Sequence, residues 1–179
     1  MRKLIVNSPT KIKNSIPKIL QKLDVKIEVK RKNVIIDGTE FNEFTAEKMI
    51  QAIDFGFDVE DALGLINEDV NIEYINIKEH THRKNLTEIR SRIIGAEGKA
   101  KRTIETLTGA AIVIHNNVVG IISDSDHLPH TLQGIISLIQ GAKHSNVFSY
   151  IERQNSNLRK IDTDALDLRD PEKDLKNLD

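Results

Sequence analysis

The sequence predicts an α+β protein in which a three-stranded antiparallel sheet packs against helices, a plan that occurs twice in tandem. Three observations predict it. Apolar residues recur at alternating or helical spacing across residues 71–153 in the order strand, helix, helix, strand, strand, helix. The two short helices in that order are separated by a Gly-x-x-Gly loop, Gly95-Ala96-Glu97-Gly98. Residues 1–54 follow the same plan with that loop missing.

In the first unit, residues 4–6 make a short strand, and Ile12, Ile16, Ile19, Leu20 and Leu23 mark a helix with Pro17 in its first turn. Val25, Ile27 and Val29 alternate with charged residues as a half-exposed strand, which returns after a turn near residues 31–33 as strand 34–36. Phe44, Glu47, Lys48 and residues 50–53 belong to the helix that closes the unit. Residues 55–70 connect the halves. Phe55 and Phe57 are read as a lock between them, and Asp58 as the N-cap of a short helix reaching Ile66.

In the second unit, Ile72, Tyr74 and Ile77 lie on a strand over 71–79. Leu86, Ile89, Ile93 and Ile94 fall at helical spacing before the glycine loop, and Ala100, Ile104 and Leu107 do so after it. Gly109 ends the second helix; 112–114 and 118–122 are strands joined by the turn His115-Asn116-Asn117. A long helix is expected over 126–153, carrying Leu132, Ile135, Ile136, Ile139 and Ala142, with Asp126 as its cap and the small residues around Gly141 as a packing point, the alternative being that Lys143 and His144 face a nucleic acid. Residues 154–179 are polar, contain Pro171 and read first as a mobile tail, second as a short docked helix through Leu158, Ile161, Ala165 and Leu168.

This order around a Gly-x-x-Gly loop is that of a type I KH domain, whose loop grips the backbone of single-stranded nucleic acid. Two glycines turn the chain tightly and bring bare amides to phosphate oxygens, and the helix start adds its positive end. Charge agrees. The net charge is only −1, but residues 1–32 carry ten Lys/Arg against two Asp/Glu, 33–80 two against twelve, and 81–122 seven against three. The expected RNA contacts are Gly95, Ala96, Glu97 and Gly98 in the loop, Arg90, Arg92, Lys99, Lys101 and Arg102 as the surrounding positive charge, Ile94 and Ile112 as apolar support, and the backbone of the strand 111–115, with His115 as a second candidate, as the reader of base edges. Glu97 repels phosphate unless it points away or pairs with Lys99 or Lys101. The first unit has no such loop and is read as a degenerate copy, with an unrelated α+β cap as the alternative.

The run Asp54-Phe55-Gly56-Phe57 with Glu60-Asp61-Ala62-Leu63, the segment 92–105 spelling RIIGAEGKAKRTIE, and Gly141-Ala142-Lys143-His144-Ser145 closely resemble the archaeal KH-domain ribosome-biogenesis proteins, counterparts of the eukaryotic partner-of-Nob-one (Dim-two) pre-rRNA processing factor. The resemblance covers roughly residues 1–155 and is strongest over 54–153. It implies two KH domains, the first degenerate, and binding near the 3′ end of small-subunit rRNA during late assembly, beside the endonuclease that matures that end. It also implies contact with the α subunit of translation initiation factor two. Two other readings stay open: a protein adaptor whose loop serves packing, and a general KH-type mRNA binder.

Other chemistries find little support. There is no cysteine, so disulfides and thiolate chemistry are excluded. His80 with His82, and His127 with His130, lack a third ligand by spacing, and Asp124 with Asp126 reads as capping, so no metal or cofactor is expected. No nucleophile, base and orienting group stand together, so no enzyme activity is expected. The opening apolar run is too short for a signal peptide and no segment approaches a membrane span, which predicts a cytoplasmic protein.

Overall fold

The computed structural model describes residues 1–167, with side-chain surroundings to Ile161. The first unit is β1 (Arg2–Ile5), α1 (Pro9–Leu20), β2 (Val25–Lys30), β3 (Asn33–Gly38) and α2 (Glu40–Phe55), its sheet ordered β1-β3-β2 with antiparallel pairing throughout. The alternation in β2 sends Val25, Ile27 and Val29 inward opposite Gly38, Ile36 and Val34, while Lys26, Glu28 and Lys30 face water. Helix α1 begins at Pro9, so the first-turn proline is Pro9; Pro17 lies inside the helix, near its end. The Ser8 side chain makes no capping bond. Instead the Asp54 carboxylate, reaching over from α2, accepts the amides of Asn7 and Ser8 at 2.8 and 2.7 Å.

A short helix α3 (Val59–Leu63) and one further turn to Ile66 lead into the second unit. It contains β4 (Val70–Asn76), α4 (Leu86–Ile94), α5 (Lys99–Thr108), β5 (Ala111–His115), β6 (Val118–Asp124), α6 (Leu128–Gln140) and α7 (His144–Asp167). Its sheet is ordered β4-β6-β5, again antiparallel. Both sheets therefore place the last strand of the unit at the centre. Where the second unit has α4, loop and α5, the first has α1 alone.

The second sheet is covered on both faces. Ile112, Val119 and Ile121 pack against α4, α5, α6 and α7, while Ala111, Val113 and Ile122 pack against the core of the first unit. Gly120 makes that second contact close: a Cβ there would stand 2.7 Å from the Phe55 ring and 2.9 Å from Phe57. Phe57 is fully buried and its ring stacks on Phe55 at 6.0 Å, so the aromatic pair locks the halves together as the sequence suggested. Burying Phe57 supplies about 2 kcal/mol.

The long helix expected over 126–153 is broken. Gly141 adopts φ +105°, and the amides of Gly141 and Ala142 turn back onto the Ser137 carbonyl at 3.1 and 2.9 Å. A glycine in this conformation ends a helix by collecting its last carbonyls. The start of α6 also differs, because Asp124, not Asp126, accepts the His127 amide at 2.8 Å and its ring nitrogen at the same distance. Burial pushes the Asp124 carboxyl up, but these bonds outweigh it and hold the group below its ordinary value. At the other end, α7 runs on through residues 154–167, where Asn155 Nδ2 donates to the Leu107 carbonyl. Leu158 is half-buried and Ile161 is 63% exposed. The rest of the predicted tail, 168–179, lies outside the described residues.

Candidate nucleic-acid interface

Helix α4 starts on Asn85, whose side chain accepts the Glu88 amide, and ends where the Gly95 amide bonds Ser91 O at 2.8 Å. Gly95 has φ +75° and ψ 174°, a region open in practice only to glycine. It is doubly required, because a Cβ would fall 2.6 Å from Ala100 Cβ and 2.7 Å from the Ala100 nitrogen. Glu97 and Gly98 are both left-handed, at φ +52° and +76°. A Cβ on Gly98 would meet nothing nearer than the Arg102 guanidinium at 3.7 Å. The first glycine thus serves close packing and conformation; the second serves conformation alone.

Around this loop the charged groups divide by what already holds them. Lys99 is exposed and makes no ion pair among the described residues. Arg102 Nη2 donates to the Glu97 carbonyl, so Arg102 steadies the loop while remaining exposed beside it. Lys101 pairs with Glu105 at 2.9 Å rather than with Glu97, and Glu105 Oε1 also accepts the Ile112 amide at 2.9 Å. Arg90 donates to Asn116 O and Asn117 Oδ1 at 3.0 and 3.3 Å, tying α4 to the β5–β6 turn. Charge is graded along α5, with Lys99, Lys101 and Arg102 at its start. Toward its end Asp61 is pushed up by burial and by the nearby Asp58 and Glu105 carboxylates. Phosphate is attracted to the loop end and repelled from the other.

Three expected contacts do not reach this surface. The Arg92 guanidinium turns toward α6, with Nε donating to Leu138 O at 3.2 Å and Nη2 to Ala142 O, so it closes the end of α6. The Ile112 side chain is 1% exposed and belongs to the core. His115 alternates with Ile112 and Ile114 along β5 and so projects from the opposite face, 5.8 Å from the Phe55 ring. Ile94, by contrast, is 37% exposed beside the loop.

One bond shows which backbone groups of the 111–115 strand, expected to read base edges, are free to do so. Strand β5 is at the sheet edge, and the bond from Glu105 shows that the Ile112 amide points away from β6. In an antiparallel pair, a residue's amide and carbonyl point the same way and the pattern repeats two residues on. The free edge beside α5 therefore presents Ile112 C=O together with the amide and carbonyl of Ile114. The alternation that names Ile114 was in the sequence; the side of α5 it faces was not. Among the described residues there is no cluster of three metal-ligating side chains, and no helix is long and apolar enough to cross a membrane.

A strand-helix-loop-helix-strand-strand-helix unit with this sheet order and a Gly-x-x-Gly loop is a type I KH domain. Residues 71–156 match the family model of the eukaryotic-type KH domain (KH-domain type I), in the form of the second KH domain of PNO1. A KH domain-containing protein of Methanocaldococcus jannaschii is 29% identical over 156 residues, covering 83% of this chain and 69% of that protein. The pre-rRNA-processing protein pno1 of Aspergillus oryzae is 26% identical over 147 residues, covering 77% and 56%. The chain spans a little over half the length of such fungal relatives. Among solved structures, a protein of unknown function from Aeropyrum pernix superposes with TM-score 0.83 at 26% identity, covering 94% of this chain and 97% of that one. Dim2p of Pyrococcus horikoshii gives 0.75 at 25% identity, covering 85% and 98%. Dim2p in its complex with a/eIF2α and rRNA gives 0.76 at 24% identity, covering 87% and 94%, a likeness of fold. Residues 71–156 thus carry a KH domain, and the chain is similar to Dim2 and PNO1 proteins.

Proposed function

We propose that this chain is a single-stranded RNA-binding factor of small-subunit assembly, holding RNA near the 3′ end of small-subunit rRNA with the Gly95–Gly98 loop. The observation that carries the reading is the loop itself: a glycine that nothing else can replace, a second glycine in the left-handed region, and exposed cations at a helix start. The RNA backbone passes over Gly95, Ala96, Glu97 and Gly98. Lys99 and Arg102 meet its phosphates, Lys101 adds a partly neutralised charge, Arg90 fixes the adjoining turn, Ile94 lies under a base, and Ile112 C=O with the Ile114 backbone reads base edges. Naming of the Aspergillus relative for pre-rRNA processing, and the rRNA in the Pyrococcus Dim2p complex, support the substrate.

The chain binds and does not catalyse. We read its first unit as a degenerate KH domain: the sheet order repeats with one helix in place of helix, loop and helix, and the Asn7 and Ser8 amides that open that helix are already taken by the Asp54 carboxylate, which repels phosphate. That leaves the first unit for packing and for protein partners. The α subunit of translation initiation factor two is one, as the Pyrococcus complex suggests, and the 3′-end maturation endonuclease is the other. The working place is the cytoplasm.

The test is a fluorescence-anisotropy titration at several salt concentrations, using labelled RNA of the small-subunit 3′ end and a scrambled strand. Wild type and Gly98→Asp are compared, Gly98 being chosen because its Cβ has room. Expected are preference for the 3′-end strand and a loss of about tenfold or more in the variant. Equal binding by both proteins, or no binding by either, sinks the clamp; loss of preference with binding intact leaves a general single-strand binder.

A further inference from the structure

Helix α5 has two flanks. Lys101 and Glu105 lean toward the β5 edge, as the bond from Glu105 to the Ile112 amide establishes. On the other flank, Lys99 and Ala100 meet the start of α7, and there a mostly apolar pocket of about 210 Å³ opens between Gly95, Ala96, Lys99, Ala100, His144 and Phe148. The pocket shares Gly95 and Ala96 with the loop itself. Its aromatic wall is half-buried, the His144 and Phe148 rings standing 6.1 Å apart at 50°. His144 is held in place because its Nε2 bonds the Arg92 carbonyl at 2.9 Å. Lys99 and the neighbouring Lys143 are exposed, and neither is in an ion pair among the described residues.

We propose that this pocket is a second nucleobase subsite, taking one base of the RNA on the α7 side of the loop, stacked on Phe148, while the bases bound in the usual groove lie on the β5 side. The inference rests on the RNA-clamp reading of the loop. A strand whose phosphates cross Gly95–Gly98 passes directly over the pocket mouth, so its next base needs only to turn inward. Sequence-tolerant base stacking on an aromatic ring suits a mostly apolar wall with cations at its rim. The volume is below that of pockets for drug-sized ligands and suits a single base. An apolar side chain from a protein partner is the competing occupant, but it gives no role to the two free lysines.

The experiment uses the full chain and 3′-end RNAs lengthened one nucleotide at a time from a four-nucleotide core, extended on either side. Wild type, Phe148→Ala, Phe148→Leu and Gly98→Asp are titrated with each. Wild type should gain roughly tenfold in affinity when the RNA first reaches the pocket, a gain that both Phe148 variants lose while binding the core normally. An abasic nucleotide at that position should make the three proteins equal, and 2-aminopurine there should be quenched by wild type and not by Phe148→Leu. If Phe148 variants weaken core and extended RNA alike, or neither, the subsite is overturned. It is also overturned if the gain is indifferent to the abasic site. If Gly98→Asp binds every RNA as wild type does, the clamp reading falls with it, which the Phe148 arms alone would not show.

Discussion

The two glycines of the loop have the same chemistry but different surroundings, so replacing each by alanine separates conformation from packing. At Gly98 the added methyl has space, 3.7 Å from the Arg102 guanidinium, and the cost is that of a left-handed L-residue, about 1 kcal/mol. At Gly95 two penalties combine. The φ +75°, ψ 174° conformation costs about 2 kcal/mol for any other residue. The 2.6 Å approach to Ala100 Cβ adds about 2 kcal/mol of overpacking, since the neighbours are the core-facing first turn of α5 and cannot swing away. Gly95→Ala should therefore lose about 4 kcal/mol and Gly98→Ala about 1. Urea unfolding followed by circular dichroism measures both, and thermal midpoints should fall by about 12 °C and about 3 °C for a chain of this size. Equal losses, or a larger loss at Gly98, would refute the claim that Gly95 is required by contact as well as by conformation.

Lys99→Ala should reduce the salt dependence of RNA binding by about 0.7 in the log–log slope with stability unchanged, while Arg92→Ala should cost about 2 kcal/mol of stability and leave the slope alone; anisotropy and urea titrations check the pair. Gly120→Val should destabilise by about 3 kcal/mol, because its side chain must displace the Phe55 and Phe57 rings, and near-ultraviolet dichroism should show those rings disturbed. Asp61 is raised above the ordinary carboxylate value in the fold, first by burial and then by Asp58 and Glu105. Its ionisation therefore opposes folding above that raised value, and the penalty disappears as pH falls below the ordinary carboxylate range. Asp61→Asn should stabilise the protein at pH 7 and lose that advantage by pH 3, as unfolding at the two pH values would report.

How much of this was written in the sequence depends on how local each determinant is. The loop was legible because a positive φ selects glycine at the residue itself, and the strands because alternation fixes their faces. The same alternation placed His115 opposite Ile112 and Ile114, so its wrong assignment came from neglecting strand parity. Gly141 carried the signal for the break between α6 and α7, masked by an apolar stripe that continues on both sides. Arg92 had no such signal: a long side chain goes where tertiary partners lie, here the carbonyls at the end of α6. The bond from Glu105 to the edge of β5 likewise exists only once helix and strand are side by side.

The packing of Phe55 and Phe57 onto Gly120 bears on how this chain may be dissected. A fragment cut at residue 70 would keep the whole Gly-x-x-Gly unit, yet it would bare Ala111, Val113 and Ile122 on one face of its sheet. A bare apolar sheet face is an aggregation hazard. The half with the Gly-x-x-Gly loop thus relies on the other half to cover its sheet, which gives the unit without that loop a packing role of its own.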